Sequence, residues 1–273
     1  MEEVVIESGH LEEQCWRDLW KYRQLFYFLA WRDFLVRYKQ TVIGIAWALV
    51  RPLLTMLVFT VVFGRIAKLP SEGTAPYSLL VFAGMLPWQF FSNSLAEASN
   101  SLVLNPNLIS KIYFPRLIVP ASSVITSFAD LLISFTILIV MMAWFQYLPD
   151  WRVLLLPLFI GVGFFAAVGV GVWLCALNVE YRDFRYIVPF IVQLGMYISP
   201  VGFSSSTIPA NWRFAYSANP MVGVIDGFRW ALLRGSARPY WPGLVESVVL
   251  TVLLCASGTW YFRKVERTFA DVI

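Results

Sequence analysis

The run VLLLPLFIGVGFFAAVGVGVWLCAL, residues 153–177, carries no charged side chain. As a helix rising 1.5 Å per residue it reaches about 37 Å, more than the roughly 30 Å of a bilayer's hydrocarbon core. A helix apolar all round has no face to offer water, so the run reads as a membrane span. Five more stretches follow the same logic: 43–63, 77–97, 117–146, 187–203 and 243–262. The stretch at 187–203 is the short one, interrupted by Pro189, Gly195 and Pro200. Barrel strands alternate strictly, and that alternation is absent, so the spans are helices. Hydrophobic residues at 59% and charged residues at 14% leave little chain for a separate soluble domain. The expected fold is an all-α integral membrane protein of six transmembrane helices.

One membrane domain over 14–262 is expected, flanked by an acidic tail at 1–13 and a C-terminal tail at 263–273. The sequence MEEVVIESGHLEEQ lacks the basic-then-apolar pattern of a cleavable signal, so insertion is expected to rely on the first span. With both termini in the cytosol, the inner side holds most of the cations, among them Arg32, Arg37, Lys39, Lys111, Arg116, Arg182, Arg185, Arg263 and Lys264. The outer side then holds Arg65, Lys68, Arg152, Arg213, Arg229, Arg234 and Arg238. That excess on the inner side supports the orientation by the positive-inside rule. Cys15, Cys175 and Cys255 are scattered and have no metal spacing; they read as small apolar residues.

Residues 14–30 set Trp16, Leu19, Trp20 and Tyr27 at helical spacing among basic residues, the pattern of an amphipathic helix in the headgroup plane. It serves as a lipid anchor or as a collar that also touches a cytosolic partner. In the first span, Arg51 begins about 12 Å deep at helical rise. A lipid-facing arginine there costs about 2.5–3.5 kcal/mol. Trp47, Arg51, Thr55 and Phe59 recur every four residues and share one face, which lines a pore or packs against protein. The fifth span sets Phe190, Gln193 and Tyr197 on a second stripe.

Between spans two and three, Asn105-Pro106 starts and Pro115-Arg116 stops a short helix. Between spans four and five, NVEYRDFRY (178–186) is the most polar short loop. Gly163, Ala167 and Gly171 form a stripe for close helix packing. On the outer side, 204–235 reads as a re-entrant helical hairpin. There Asn219-Pro220 caps a helix whose Val224, Ile225, Phe228 and Leu232 share a face.

No G-x-x-x-x-G-K-[ST], G-x-S-x-G or H-E-x-x-H occurs. Within the spans the ionisable groups are Arg51, Glu97, Asp130 and Glu246. An enzyme could be argued from Asp130 with Glu97, but Asp130 beside a polar neighbour such as Arg51 is the plainer expectation. If the chain moves a cargo, its energy comes from elsewhere.

Three motifs in register carry a resemblance. RYKQTVIGIAWALVRPL (37–53), LNPNLISKIYFPR (104–116) and NVEYRDFRY (178–186) resemble the membrane subunits of type-2 ABC exporters, in the branch that exports O-antigen, capsule and teichoic acid. The resemblance implies a homodimer that moves lipid-linked polysaccharide across the cytoplasmic membrane. It also implies two copies of a separate nucleotide-binding subunit that holds ATP and Mg, with no cofactor on this chain. Membrane lipids are the other expected partner, and no nucleic acid is expected.

Carried over, the cytosolic coupling helices are 105–115 and 178–186, with Asn105, Pro106, Lys111, Tyr181, Arg182, Asp183 and Phe184 as coupling residues. The channel lining is Trp47, Arg51, Thr55, Phe59, Phe190, Gln193 and Tyr197. A lipid pyrophosphate is expected at the inner rim of Arg37, Lys39 and Arg51. Aromatic rings suit such a cargo because sugar C–H faces stack on them weakly and repeatedly. The rivals are a small-lipid or drug exporter of the same superfamily and a membrane-embedded enzyme acting on lipid-linked sugars.

Overall fold

The computed structural model describes residues 20–39, 42–71, 73–106, 108, 114–234, 239–266 and 269, apart from the side chains of 42–48. The regular structure in these residues is helical, with no strand among them. In chain order the helices are α1 (Arg23–Lys39), α2 (Val42–Phe59), α3 (Tyr77–Asn100), α4 (Ile118–Trp144), α5 (Leu156–Glu180), α6 (Phe184–Ile198), α7 (Ala210–Ser217), α8 (Pro220–Leu232) and α9 (Trp241–Glu266). A π-helical stretch, Thr60–Ile66, prolongs α2. Among the described residues, five segments are long and apolar enough to cross a membrane: Leu49–Ile66, Tyr77–Asn100, Ile118–Trp144, Trp151–Glu180 and Trp241–Glu266. They coincide with five expected spans to within a few residues, except that the first begins six residues later, at Leu49 rather than at 43.

The stretch expected at 187–203 differs. Its helix covers 15 residues, Phe184–Ile198, or about 22 Å, short of the bilayer core. Ser199 is extended, at φ −76° and ψ 152°, because the ring of Pro200 disfavours helical backbone in the residue before it.

The helices run up and down, so the bundle has two ends. The basal end gathers Lys39, Asn100, Ile118, Glu180 and Glu266, and the distal end gathers Ile66, Tyr77, Trp144, Ile198 and Trp241. Helix α3 is the axis. In its window 78% of residues are buried, against 11% for Leu49–Ile66, and it packs against α2, α4, α5, α6 and α8. Helix α5 lies between α3 and α9. Gly163 faces Val224, Gly171 faces Ala98, and Ala167 is fully buried, so the small-residue stripe serves packing as expected. A tighter crossing lies on another side of α5. A Cβ on Gly169 would sit 2.7 Å from the backbone nitrogen of Cys255, so only glycine fits where α5 meets α9.

Of the expected interfacial helix at 14–30, residues 14–19 lie outside the described residues. Helix α1 covers the rest from Arg23 and continues to Lys39, so Arg32, Arg37 and Lys39 are helical as well. Its Leu29 enters a basal apolar cluster with Leu102, Ile118, Cys175 and Phe262, while Trp20, Tyr27 and Phe28 point outward. One face is thus docked on protein and the other is open, as suits rings at a membrane interface.

The distal hairpin forms as α7 and α8. Asn219 Oδ1 accepts from Met221 N at 3.0 Å, the expected cap. Val224, Ile225, Phe228 and Leu232 are all buried, because α8 packs against α3, α5 and α9. Arg229, expected among the outer charges, lies inside the protein. It is fully buried and donates to three carbonyls: Leu80 O at 3.2 Å, Phe203 O at 2.7 Å and Val201 O at 2.8 Å. Asp226, three residues earlier, is also buried. Two more arginines at the distal end meet loop backbone: Arg234 donates to Leu148 O, and Arg213 to Ile208 O and Ser206 O.

Replacing Arg229 with Met strips the loop carbonyls of Val201 and Phe203 of their donor, at about 1–3 kcal/mol each, and takes a second donor from Leu80 O. The expected outcome is a loss of folded protein large enough to read as a sharp drop in detergent-solubilised yield and thermal midpoint. Arg229→Lys, which lacks the planar fork, should fall between.

Candidate functional site

At the basal end, three helices meet through one arginine. Arg37 on α1 donates to Asp130 Oδ2 on α4 at 2.6 Å and to Glu97 Oε1 on α3. Tyr38 donates its hydroxyl to Asp130 Oδ1, and Ser127 Oγ donates to Glu97 Oε2 at 2.9 Å. The side chains of Arg37, Glu97 and Asp130 are 31%, 27% and 20% exposed, so the network is partly shielded from water. Burial, followed by the Asp130 hydrogen bond, pushes the Tyr38 hydroxyl well above its usual range and keeps it a donor.

The expected neighbour of Asp130, Arg51, is not its partner. Because α1 stays helical to Lys39, Arg37 turns back onto α4, while Arg51 sits exposed on α2. Glu97 and Asp130 do come together, yet both are engaged by Arg37. Of the three cations expected at the inner rim, then, Arg37 is held by carboxylates, and Lys39 and Arg51 are exposed.

Two helix faces are left open. On α2, Val50, Leu54, Leu57 and Val58 are exposed; on α6, Phe190, Ile191, Leu194 and Tyr197 are. Among the expected lining residues, Arg51, Phe190, Gln193 and Tyr197 are exposed. Thr55 is half-buried and donates to Arg51 O at 2.9 Å. Phe59 is buried: its ring stacks on Tyr197 at 6.4 Å between centroids and tilts against Phe63 at 5.3 Å. The two stripes therefore meet at the distal end of α2. Gly202 allows it, since a Cβ there would lie 2.9 Å from the Phe63 ring and 3.0 Å from Phe59. The side chain of Trp47 lies outside the described residues.

The loop 178–186 is not a separate helix. α5 runs through Glu180 and α6 begins at Phe184, leaving the corner Tyr181-Arg182-Asp183. All three corner residues are exposed, while Phe184 packs half-buried with its ring 6.5 Å from Tyr181. Hydrogen bonding to Glu180 raises the Tyr181 hydroxyl above its usual range. Near the other expected coupling segment, Asn105 donates to Ser101 O at 2.8 Å and accepts from Arg32 at 3.4 Å, which ties the segment to α1. Pro106 is exposed, and Lys111 lies outside the described residues.

Sequence reasoning passed over Tyr38 and Ser127 as partners, and Arg229 as a buried group. A signal for Arg229 did exist. Asp226 and Arg229 stand three apart in the otherwise apolar PMVGVIDGFRWAL, a spacing that places them on one face.

Removing Arg37 by Arg37→Ala leaves two carboxylates facing each other. The expected cost is about 1–3 kcal/mol, between the exposed-pair and buried-pair limits. Thermal unfolding of the purified chain checks it. Adding Glu97→Gln to Arg37→Ala should recover part of the loss, as coupled partners do.

The model of the ABC-2 type transporter family matches residues 24–233. The chain is 27% identical over 260 residues to the O-antigen export system permease protein RfbA of Myxococcus xanthus, covering 94% of this chain and 98% of that one. It is 25% identical over 248 residues to the protein of the same name from Klebsiella pneumoniae, covering 89% and 92%. It is also 25% identical over 247 residues to the capsule polysaccharide export inner-membrane protein CtrC of Neisseria meningitidis, covering 87% and 91%. With the family model spanning most of its helices, this chain belongs to the ABC-2 type transporters.

Proposed function

We propose that this chain is the membrane-spanning subunit of an ATP-driven exporter of lipid-linked polysaccharide of the O-antigen or capsule type. The observation that carries the reading is the pair of open faces on α2 and α6, joined at Phe59 and Tyr197. A lone chain in a bilayer has no use for Arg51 and Gln193 on such faces, since polar side chains in lipid are costly. Two copies that set these faces toward a shared axis would place Arg51, Thr55, Phe190, Gln193 and Tyr197 along a channel, with Trp47 and Phe59 on the same stripe. Such a channel offers aromatic rings and few fixed charges, which suits a sugar chain that must bind weakly and move on. The full-length similarity to proteins named for O-antigen and capsule export supports the cargo class.

In this reading α6 is the fifth of six spans. Its missing length is made up by the buried turn through Ser199 and Val201, and the α7–α8 hairpin remains in the outer leaflet. Both termini face the cytosol, the basal end being the inner side of the cytoplasmic membrane. ATP hydrolysis takes place on a separate nucleotide-binding subunit, two copies of which dock below. Their contacts are the projecting Tyr181-Arg182-Asp183 corner, with Phe184 as its buttress, and the segment that starts at Asn105-Pro106 and includes Lys111. An exposed aromatic beside two opposite charges makes an anchor with charges that fix register. A lipid pyrophosphate would meet Lys39 and Arg51 first, with Arg37 close behind.

Deleting the gene should trap full-length lipid-linked glycan on the cytosolic side. Surface polymer that is merely shortened, or no polymer at all, would instead assign the chain to synthesis. Reversing the corner with Arg182→Glu and Asp183→Arg should weaken co-purification of the ATP-binding subunit by roughly tenfold or more, while the membrane subunit keeps its thermal midpoint.

A further inference from the structure

A groove of about 990 Å3 opens between α5 and α9, at the upper end of the roughly 300–1,000 Å3 of small-molecule pockets. Its walls are apolar: Leu158 and Phe165 from α5, Val252 and Ala256 from α9. Two of the polar side chains on the wall are already engaged. Thr251 Oγ1 donates to Ser247 O at 2.8 Å, and Cys255 Sγ to Phe165 O at 2.9 Å. Such a surface asks for hydrocarbon rather than water or sugar.

The basal end of the groove is different. It holds Trp260, Arg263 and Lys264. The Lys264 ammonium lies 5.5 Å from the Trp260 ring centroid, and Arg263 Nε is buried without a hydrogen-bond partner among the described residues. From Val248 to Lys264 the groove follows α9 for about 24 Å, more than the roughly 15 Å of one leaflet.

We propose that this groove binds one anionic diacyl phospholipid from the leaflet at the basal end. Arg263 and Lys264 hold its phosphate, and one acyl chain lies along Phe165, Val252 and Ala256. Charge complementarity selects this occupant. A second copy related by an axis along the membrane normal would bring its own Arg263 and Lys264 to the same depth, cation against cation. The groove and the open α2 face also lie apart, since α9 packs on α5, α7 and α8 while α2 packs on α1, α3 and α4. The inference rests on α5 and α9 spanning the bilayer and is independent of the cargo.

Native mass spectrometry of the purified chain from mixed phosphatidylcholine and phosphatidylglycerol nanodiscs tests it. The wild type should keep one phosphatidylglycerol in preference to phosphatidylcholine. Arg263→Gln with Lys264→Gln should lower that preference by roughly tenfold, as expected for two cations removed from a headgroup. Val252→Trp should fill the groove and reduce retention of both lipids; if it fails to fold, the charge variant alone decides. Equal retention of the two lipids by the wild type, or no change in the charge variant, overturns the proposal. So does displacement of the lipid by glycerol 3-phosphate, which would make the site a headgroup site alone. A loss of dimer mass in Val252→Trp would give the groove to a second copy and overturn it as well.

Discussion

In a bilayer no water waits to satisfy a carbonyl, so a helix that stops inside the bundle must find donors for its end. That constraint organises the distal half of this protein. After α6 ends at Ile198, the following carbonyls are met in turn: Ile198 O by the Tyr216 hydroxyl, Ser199 O by the amide of Val201, Val201 O and Phe203 O by Arg229, and Gly202 O by the Tyr77 hydroxyl. The donors come from α7, α8 and the start of α3, so one short helix fixes where three others sit. Asn219 caps α8 and also donates to Ser199 Oγ at 2.9 Å, which closes the turn against the hairpin. Burying a guanidinium is tolerable here because its hydrogen-bond donors are aimed at acceptors that would otherwise lack them.

The basal end follows a different logic. There the charges are partly wet, and the Arg37 network ties α1 to α3 and α4 without full desolvation. Asn178 donates to Ser99 O at 2.8 Å, Tyr261 to Glu180 at 2.7 Å, and the Arg116 amide to Glu266 at 3.0 Å. These links join α3, α5, α9 and the start of α4 just above the projecting 181–183 corner. A force applied at that corner enters α5 and α6 directly, because no loop separates it from either helix.

Much of the architecture is legible in the residues. Five spans, the cap at Asn219, the buried face of α8 and the packing role of Gly163, Ala167 and Gly171 all follow from periodicity, and all are present. The resemblance read from three short motifs agrees with a family match over 24–233. Local pattern worked because the bilayer demands long apolar helices and leaves few alternatives.

Pairing was the part that pattern could not supply. The sequence determined that α2 and α6 carry polar and aromatic stripes, that Asp130 needs a partner, and that 178–186 is a polar segment. Tertiary structure decided that the partner is Arg37 rather than Arg51, that 181–183 is a corner rather than a helix, and that Arg229 is buried rather than facing water. The physical reason is that span length and amphipathic period are properties of one helix, whereas a charge's partner depends on how helices turn toward one another. A register that brings α1 back onto α4, or α8 against the end of α6, is written in no single segment.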